Sequence, residues 1–164
     1  MADYEKHVHE FPPFYEKDST ILILGSFPSV RSREQAFYYG HPQNRFWRVL
    51  STLASEKVPE EISGKKEFLR RHGIALWDVI ESCEIRGSSD ASIKNAVMTD
   101  LPLLLSESPI HTIYANGKLA YRLYMKFQFP VTGRKIISLP STSPANAACS
   151  FEDLVKAWKV IQIR

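Results

Sequence analysis

The sequence TILILGSFPS spans residues 20–29 and decides the fold. Its first half, Thr20–Leu24, is almost continuously apolar, which is typical of a strand that is covered on both faces. Three further runs have the same character: Ile74–Trp77, His111–Ala115 and Lys135–Leu139. The sequence therefore predicts four strands that lie inside the molecule.

Helical segments alternate with these strands. Asn44–Leu53 and residues 117–128 carry apolar side chains at steps of three and four, and Ser63–His72 ends in basic residues before a glycine. Ser150 and Asp153 resemble a capping box in front of another apolar stripe. Strands that alternate with helices indicate an α/β fold with a parallel sheet.

The composition suits one domain. The 164 residues are 44% hydrophobic and 24% charged, an ordinary globular balance. We expect residues 1–164 to form a single domain in which the polar residues 1–18 are an extended lead-in. The net charge of +3 excludes a strongly cationic coat, although residues 101–164 contain eight Lys and Arg against three Asp and Glu.

The cysteine count and the hydropathy pattern limit the kinds of cofactor site and the cellular compartment that we expect. Cys83 and Cys149 are too few for a disulfide scaffold or for a four-cysteine zinc or iron–sulfur site. The first residues are too charged for a signal peptide, and no apolar run approaches about 18 residues. We expect a cytoplasmic monomer with reduced thiols, no membrane contact, no metal and no cofactor.

Three of the strands run directly into unusual loops. These loops are Gly25-Ser26-Phe27-Pro28-Ser29, Asn116-Gly117 and Pro140-Ser141-Thr142-Ser143-Pro144-Ala145-Asn146. Ligands of open α/β sheets bind beyond the carboxyl ends of the strands, so the loops are predicted to meet at one cleft. The first loop lacks the lysine and the glycine spacing of a P-loop.

The segment His41-Pro42-Gln43-Asn44 allows two interpretations. Asparagine is a leading N-cap residue, and the apolar stripe of a helix begins just beyond Asn44. Tyrosine, histidine, arginine and further aromatic residues also crowd within ten positions, which core packing rarely requires in a loop. Asn116 also allows two interpretations, because Asn-Gly is a common turn between a strand and a helix.

The motifs together resemble the uracil-DNA glycosylase superfamily. Pro-x-Asn-Arg-Phe-Trp is similar to the mismatch-specific branch, and the full set of three loops most resembles the hypoxanthine-DNA glycosylases. The similarity extends from about Ile21 to Trp158, with the motifs in the expected order. The resemblance implies a three-layer α/β/α sandwich around a four-stranded parallel sheet, and excision of a deaminated base from DNA.

The resemblance also implies roles for individual residues. Phe27 stands where most of the superfamily has Asp or Asn to position water, and in the hypoxanthine branch an asparagine that matches Asn44 takes that role. A matching asparagine, Asn116, reads the edge of the base, with Ser26, Phe27, Tyr39 and Phe46 around it. The implied DNA contacts are Lys118, Ser141, Thr142, Ser143, Pro144, Ala145 and Asn146.

The chemistry of the loops favours hydrolysis. Cleavage of a glycosidic bond passes through an oxocarbenium-like sugar, and a neutral amide oxygen can orient water toward it without a shifted pKa. With no lysine in the strand-end loops, water rather than a Schiff base is the predicted nucleophile. Hypoxanthine is the favoured base and uracil the second.

Two other functions fit the same sequence. A relative that lost activity with the change to Phe27 would bind nucleic acid without cutting it. An α/β protein for a small ligand would show no salt-dependent affinity for DNA.

Overall fold

The computed structural model describes residues 3–9, 11–27, 30–86 and 92–163. Its strands are β1 (Tyr4–Val8), β2 (Ile21–Gly25), β3 (Ile74–Asp78), β4 (Ile80–Arg86), β5 (Lys94–Met98), β6 (Thr112–Asn116) and β7 (Ile137–Leu139). Four of them form a parallel sheet in the order β3-β2-β6-β7. These are the four predicted strands, displaced by one or two residues at their ends.

The helices are α1 (Val30–Gln35), α2 (Phe46–Ala54), α3 (Ile62–Arg71), α4 (Leu101–Glu107), α5 (Lys118–Leu123), α6 (Phe129–Thr132) and α7 (Phe151–Trp158). A π-helical turn, Tyr124–Gln128, continues α5. The predicted helices are confirmed, and Ser150 caps α7 by accepting the N–H of Asp153 at 3.1 Å. The described part of the chain contains no helix with both the length and the apolar character needed to cross a bilayer.

Strand β2 lies at the centre of the core. Leu22, Ile23 and Leu24 have no exposed surface, and Leu24 lies beside Trp77 of β3 and Ala115 of β6. Side chains of a strand point alternately to opposite faces, so complete burial means that helices cover both faces of the sheet. The predicted α/β/α fold is confirmed.

The described residues of the predicted extended N-terminal lead-in are built into the fold. Tyr4–Val8 is a strand that pairs antiparallel with β4 over its whole length. Phe11 and Phe14 are buried in the main core, and Phe14 exchanges backbone hydrogen bonds with Leu76 of β3. The segment looked polar because its apolar residues are isolated, and only packing against β3 and β4 shows what they bury.

A second sheet, in the order β1-β4-β5, is antiparallel and was not predicted. Strand β4 follows β3 after the single residue Val79, and its side chains alternate between buried and half-buried positions. Ile80, Cys83 and Ile85 form a small core on its inner side, against which Phe27 packs. This sheet therefore supports the first of the three strand-end loops.

An ion-pair cluster joins the end of α2 to the end of α3, and it predicts acid sensitivity. Hydrogen bonds from Arg71 and then from His72 lower the pKa of Glu56 from 4.5 to about 2. A lowered folded-state pKa stabilises the fold above pH 4.5, and that contribution disappears as the pH falls toward 2. We expect Glu56→Gln to lower the Tm at pH 7, with a smaller difference from the parent chain at pH 3. A difference that is equal at both pH values would contradict this assignment.

Candidate active site

All three strand-end loops line one cavity of about 1230 Å³ at the carboxyl ends of β2, β3 and β6. The predicted site residues found in its wall are Ser26, Phe27, Tyr39, Asn44, Asn116, Lys118, Ser141, Thr142, Ser143, Ala145 and Asn146. Parallel strands end at the same edge of a sheet, which is why segments distant in sequence meet there. Pro28 and Ser29 of the first loop lie outside the described residues.

A single hydroxyl group connects the two asparagines. The Oγ1–H of Thr142 donates to Oδ1 of Asn44 at 2.8 Å, and Nδ2 of Asn116 donates to the same Oγ1 at 3.0 Å. The Thr142 backbone N–H also donates to Oδ1 of Asn116 at 3.0 Å. Thr142 thereby fixes the orientation of both amides.

The amide oxygen of Asn44 is bonded within the protein, and the residue also lines the cavity. Its Oδ1 also accepts the N–H of Phe46, the first residue of α2, at 3.0 Å. The amide cannot be flipped, because the flipped amide would place an N–H against the Phe46 N–H. The oxygen therefore has two donors, while no described residue is hydrogen-bonded to the nitrogen. Arg45, not Asn44, is the N-cap residue of α2, so the interpretation of Asn44 as the N-cap is wrong, although its oxygen bonds the first N–H of the helix from the preceding position.

Phe46 does not line the cavity, so its expected stacking on a base is wrong for this structure. The ring is fully buried between Tyr39, at a centroid distance of 4.0 Å, and Trp158. Tyr39 covers it, and the ring of Tyr39 lies in the wall of the cavity instead. Phe46 is the first residue of the apolar stripe of α2, so its ring packs in the core and not against the cavity.

Arg45 holds the third loop in place, a role that sequence reasoning did not assign. Its guanidinium group donates to the carbonyl oxygens of Cys149, Ser143 and Asn146 at 2.5, 3.1 and 3.1 Å. Its backbone N–H donates to the carbonyl of Thr142 at 3.0 Å. The planar fork of arginine suits such a set of oxygens, and it ties the loop to the start of α2.

The residues expected to contact DNA differ in their exposure. Pro144, Ala145 and Lys118 are exposed, whereas Ser141, Ser143 and Asn146 are half-buried. Thr142 is fully buried, and its N–H, C=O and hydroxyl groups are all hydrogen-bonded inside the protein. Thr142 therefore has no free group for a phosphate, and the expectation that it contacts DNA does not fit the structure.

The half-buried Phe27 lies between the cavity and the second sheet. Its ring is 6.2 Å from the rings of both His7 and His9, and it packs on the small core of β4. An aromatic ring does not hold water by strong hydrogen bonds. Phe27 therefore shapes the wall of the cavity but offers no polar group to it. Ser26 stands beside it in the wall, and its carbonyl accepts the N–H of Ile80 at 3.0 Å.

A buried acid, Asp78, ends β3 at the floor of the cavity. Its Oδ2 is 2.9 Å from Nε2 of His9, and both side chains are almost completely buried. Burial raises the pKa of Asp78. Burial alone would lower the pKa of His9, but the hydrogen bond and the charge of Asp78 raise it. A proton is therefore held between the two groups. The described residues contain no group of three or more His, Cys, Asp or Glu suited to a metal ion.

A parallel sheet with paired amides at its carboxyl edge is the arrangement that the sequence motifs imply for a DNA glycosylase, a hydrolase of N-glycosyl bonds. The family model of the Uracil DNA glycosylase superfamily matches residues 12–162. The chain therefore belongs to the uracil DNA glycosylase superfamily, and it is an enzyme of the DNA glycosylase class.

Similar proteins come from two Methanosarcina species. The chain is 34% identical over 155 residues to the hypoxanthine DNA glycosylase of Methanosarcina acetivorans, covering 92% of this chain and 95% of that protein. It is 36% identical over 110 residues to the hypoxanthine DNA glycosylase of Methanosarcina barkeri, covering 66% and 70%. The solution NMR structure of a candidate uracil DNA glycosylase from Methanosarcina acetivorans matches with a TM-score of 0.77 and 30% identity, covering 93% of this chain and 96% of that one.

The shared hydroxyl predicts that Thr142 acts as a positioning residue. Thr142→Val keeps the shape and the backbone N–H bond to Asn116 but removes the two hydrogen bonds of the hydroxyl, one to each amide, so we expect single-turnover excision to fall roughly 5- to 150-fold, as for a loss of about 1–3 kcal/mol. Thr142→Ser retains the hydroxyl and should restore most of the rate. Both variants should be compared with the parent chain by Tm and excision rate. Equal rates for Val and Ser would show that the hydroxyl does not position the site.

Proposed function

We propose that this enzyme removes hypoxanthine from DNA by hydrolysis of the N-glycosidic bond, with uracil as a second substrate. The observation that carries the proposal is the pair of amides, Asn44 and Asn116, which one buried hydroxyl orients toward a common cavity. The names of the two Methanosarcina relatives support hypoxanthine as the preferred base. An enzyme with this activity acts in base excision repair.

Asn44 holds the attacking water. Its oxygen is engaged by Thr142 and by the start of α2, so the amide nitrogen is the group that remains for the cavity. An N–H that donates to one lone pair of a water molecule leaves the other lone pair to attack C1′. The sequence-based expectation of an orienting oxygen is thus revised to an orienting N–H. Positioning of this kind needs no shifted pKa and supplies a large share of the rate.

Asn116 lies where an extruded base would present its edge. Two of its hydrogen-bonding positions go to Thr142, one on the oxygen and one on the nitrogen. One N–H and one oxygen lone pair are not used by Thr142, and the amide lies close enough to the Tyr39 hydroxyl to oppose the rise that burial causes in the pKa of that hydroxyl. These two positions match the donor and acceptor groups of a lactam edge. A base without that edge leaves these groups unpaired and is rejected.

The outer part of the cavity suits a DNA strand. Lys118, Arg122 and Lys126 are exposed and follow at intervals of four residues from the start of α5. Cationic side chains of this kind neutralise phosphates and give salt-dependent affinity. Pro144 and Ala145 at the exposed tip of the third loop enter the minor groove, and the molecule works as a cytoplasmic monomer.

A panel of oligonucleotides tests the function directly. Duplexes with hypoxanthine, uracil, xanthine or adenine at one position are incubated with the enzyme in EDTA and then treated with alkali. We expect strand cleavage to be fastest for hypoxanthine and undiminished by EDTA, and borohydride to trap no covalent adduct. Salt-dependent binding without cleavage would favour an inactive relative. Absence of DNA binding would favour a small-molecule protein.

Asn44→Ala separates catalysis from the hydrogen bond that Asn44 makes at the start of α2. We expect a stability loss of about 0.5–1.5 kcal/mol from the lost bond to the Phe46 N–H, together with loss of most excision. Asp100→Ala is the matched control, because Asp100 caps α4 by accepting the N–H of Leu103 at 3.2 Å and does not line the cavity. The control should lose a similar stability and keep its rate. Equal excision rates in the two variants would leave Asn44 only a structural role at the start of α2.

A further inference from the structure

The wall of the cavity contains a histidine that the proposed reaction does not use. His41 is half-buried and lines the cavity next to the exposed Pro42 and Gln43, so it stands at the rim. The backbone N–H of Asn44 donates to the carbonyl oxygen of His41 at 2.9 Å. His41 and the residue that holds the water in the proposed reaction therefore belong to one hydrogen-bonded turn.

The two nitrogens of the His41 imidazole differ in their partners. The backbone N–H of Gln43 donates to Nδ1 at 3.1 Å. A nitrogen that accepts a hydrogen bond carries no hydrogen, so this bond assigns a neutral ring with its hydrogen on Nε2. Among the residues that the structure describes, none is hydrogen-bonded to Nε2. An N–H donor is therefore left at the rim of the cavity.

The turn by itself does not require a histidine. A side-chain acceptor for the N–H two residues further on is what Asn and Asp provide in turns of this kind. Histidine provides it through Nδ1 and adds a second nitrogen on the far side of a flat ring. Because the backbone holds Nδ1, the direction of the Nε2–H is fixed before any ligand binds.

We propose that His41 is a substrate-binding residue whose Nε2–H donates to a phosphate that flanks the extruded nucleotide. The inference rests on the proposed function and adds a contact with the DNA backbone. With the base at Asn116 and C1′ at the water held by Asn44, the phosphates of the same nucleotide lie toward the rim, where His41 stands. Phosphate oxygens only accept hydrogen bonds, and such contacts fix the register of a DNA strand.

A neutral donor contributes something different from the cations of α5. Lys118 and Arg122 attract phosphates through charge, and that attraction weakens as the salt concentration rises. A hydrogen bond from a neutral imidazole is directional and neutralises no phosphate. His41 therefore places one phosphate relative to Asn44, whereas the cations draw the strand toward the protein.

A neutral phosphate analogue tests the contact. Single-turnover excision below saturation is measured on hypoxanthine duplexes in which one flanking phosphate at a time is a methylphosphonate, which has a methyl group in place of a charged oxygen. For a hydrogen bond to a charged group, His41→Asn should lose about 10- to 100-fold on unmodified DNA. At one phosphate, the methylphosphonate penalty should be smaller in His41→Asn than in the parent enzyme by at least about fivefold, because the donor is already gone.

Two comparisons separate this contact from a structural effect. Asparagine can still accept the Gln43 N–H but has no atom at the position of Nε2, so His41→Asn should keep the Tm of the parent enzyme. His111 is an exposed histidine that precedes β6 and does not line the cavity, and His111→Asn should keep the parent rates and penalties. Methylphosphonate penalties that are equal in His41→Asn and the parent enzyme at each phosphate would overturn the proposal, as would the same loss in His111→Asn.

A measurement on the parent enzyme covers the case in which His41→Asn lowers the Tm. Enzyme with ¹⁵N-labelled histidine is bound to a duplex that carries the 2′-fluoro analogue of the hypoxanthine nucleotide, which resists hydrolysis. A His41 Nε2–H resonance that shifts downfield and becomes protected from solvent exchange supports the contact, and one that exchanges as in the free enzyme overturns it. An enzyme that releases no hypoxanthine contradicts the proposed function, whereas normal release with equal penalties contradicts the role of His41 alone.

Discussion

The complete burial of β2 is the constraint on which the rest of the structure depends. A strand covered on both faces has no place for a polar side chain, so Leu22, Ile23 and Leu24 serve packing alone. Polar chemistry is therefore confined to the ends of the strands. Because neighbouring strands are parallel, the polar ends of β2, β3 and β6 meet at one edge, and that edge is the cavity.

The loops at that edge are not paired as strands, and a small number of hydrogen bonds holds them in place instead. Thr142 uses its N–H, C=O and hydroxyl groups to join the third loop to β6 and to the start of α2. Arg45 adds a fork to three further carbonyls, and Trp158 of α7 donates its indole N–H to the carbonyl of Pro140 at 3.0 Å. Hydrogen-bond networks of this kind make a site rigid, and catalysis by positioning requires a fixed geometry.

Phe27 occupies the position where the resemblance implies a water-binding Asp or Asn, and in the structure it has a packing role instead. Phe27 closes the side of the cavity against the second sheet, and its ring stands at the edge of His9, whose partner Asp78 lies at the cavity floor. In the proposed function, the polar group that holds the water comes from Asn44 and the polar groups that recognise the base come from Asn116. The site thus separates water positioning from base reading.

By itself, the sequence determined the parallel sheet, the helices α2, α3, α5 and α7, and the three loops. Continuous apolar runs, steps of three and four, and a capping serine are local patterns, so they can be read without knowing the neighbours. The place of the cleft follows as well, because parallel strands share an edge.

Only the tertiary structure decided which groups are free. Asp78 and His9 are 69 residues apart, and neither has a spacing that indicates a pair. Phe46 and Tyr39 are both aromatic residues of one motif, yet packing buries the first behind the second. Thr142 looked like a phosphate contact until its hydroxyl was found between two amides. Burial and hydrogen-bond pairing depend on long-range contacts, which a local pattern of residue types does not contain.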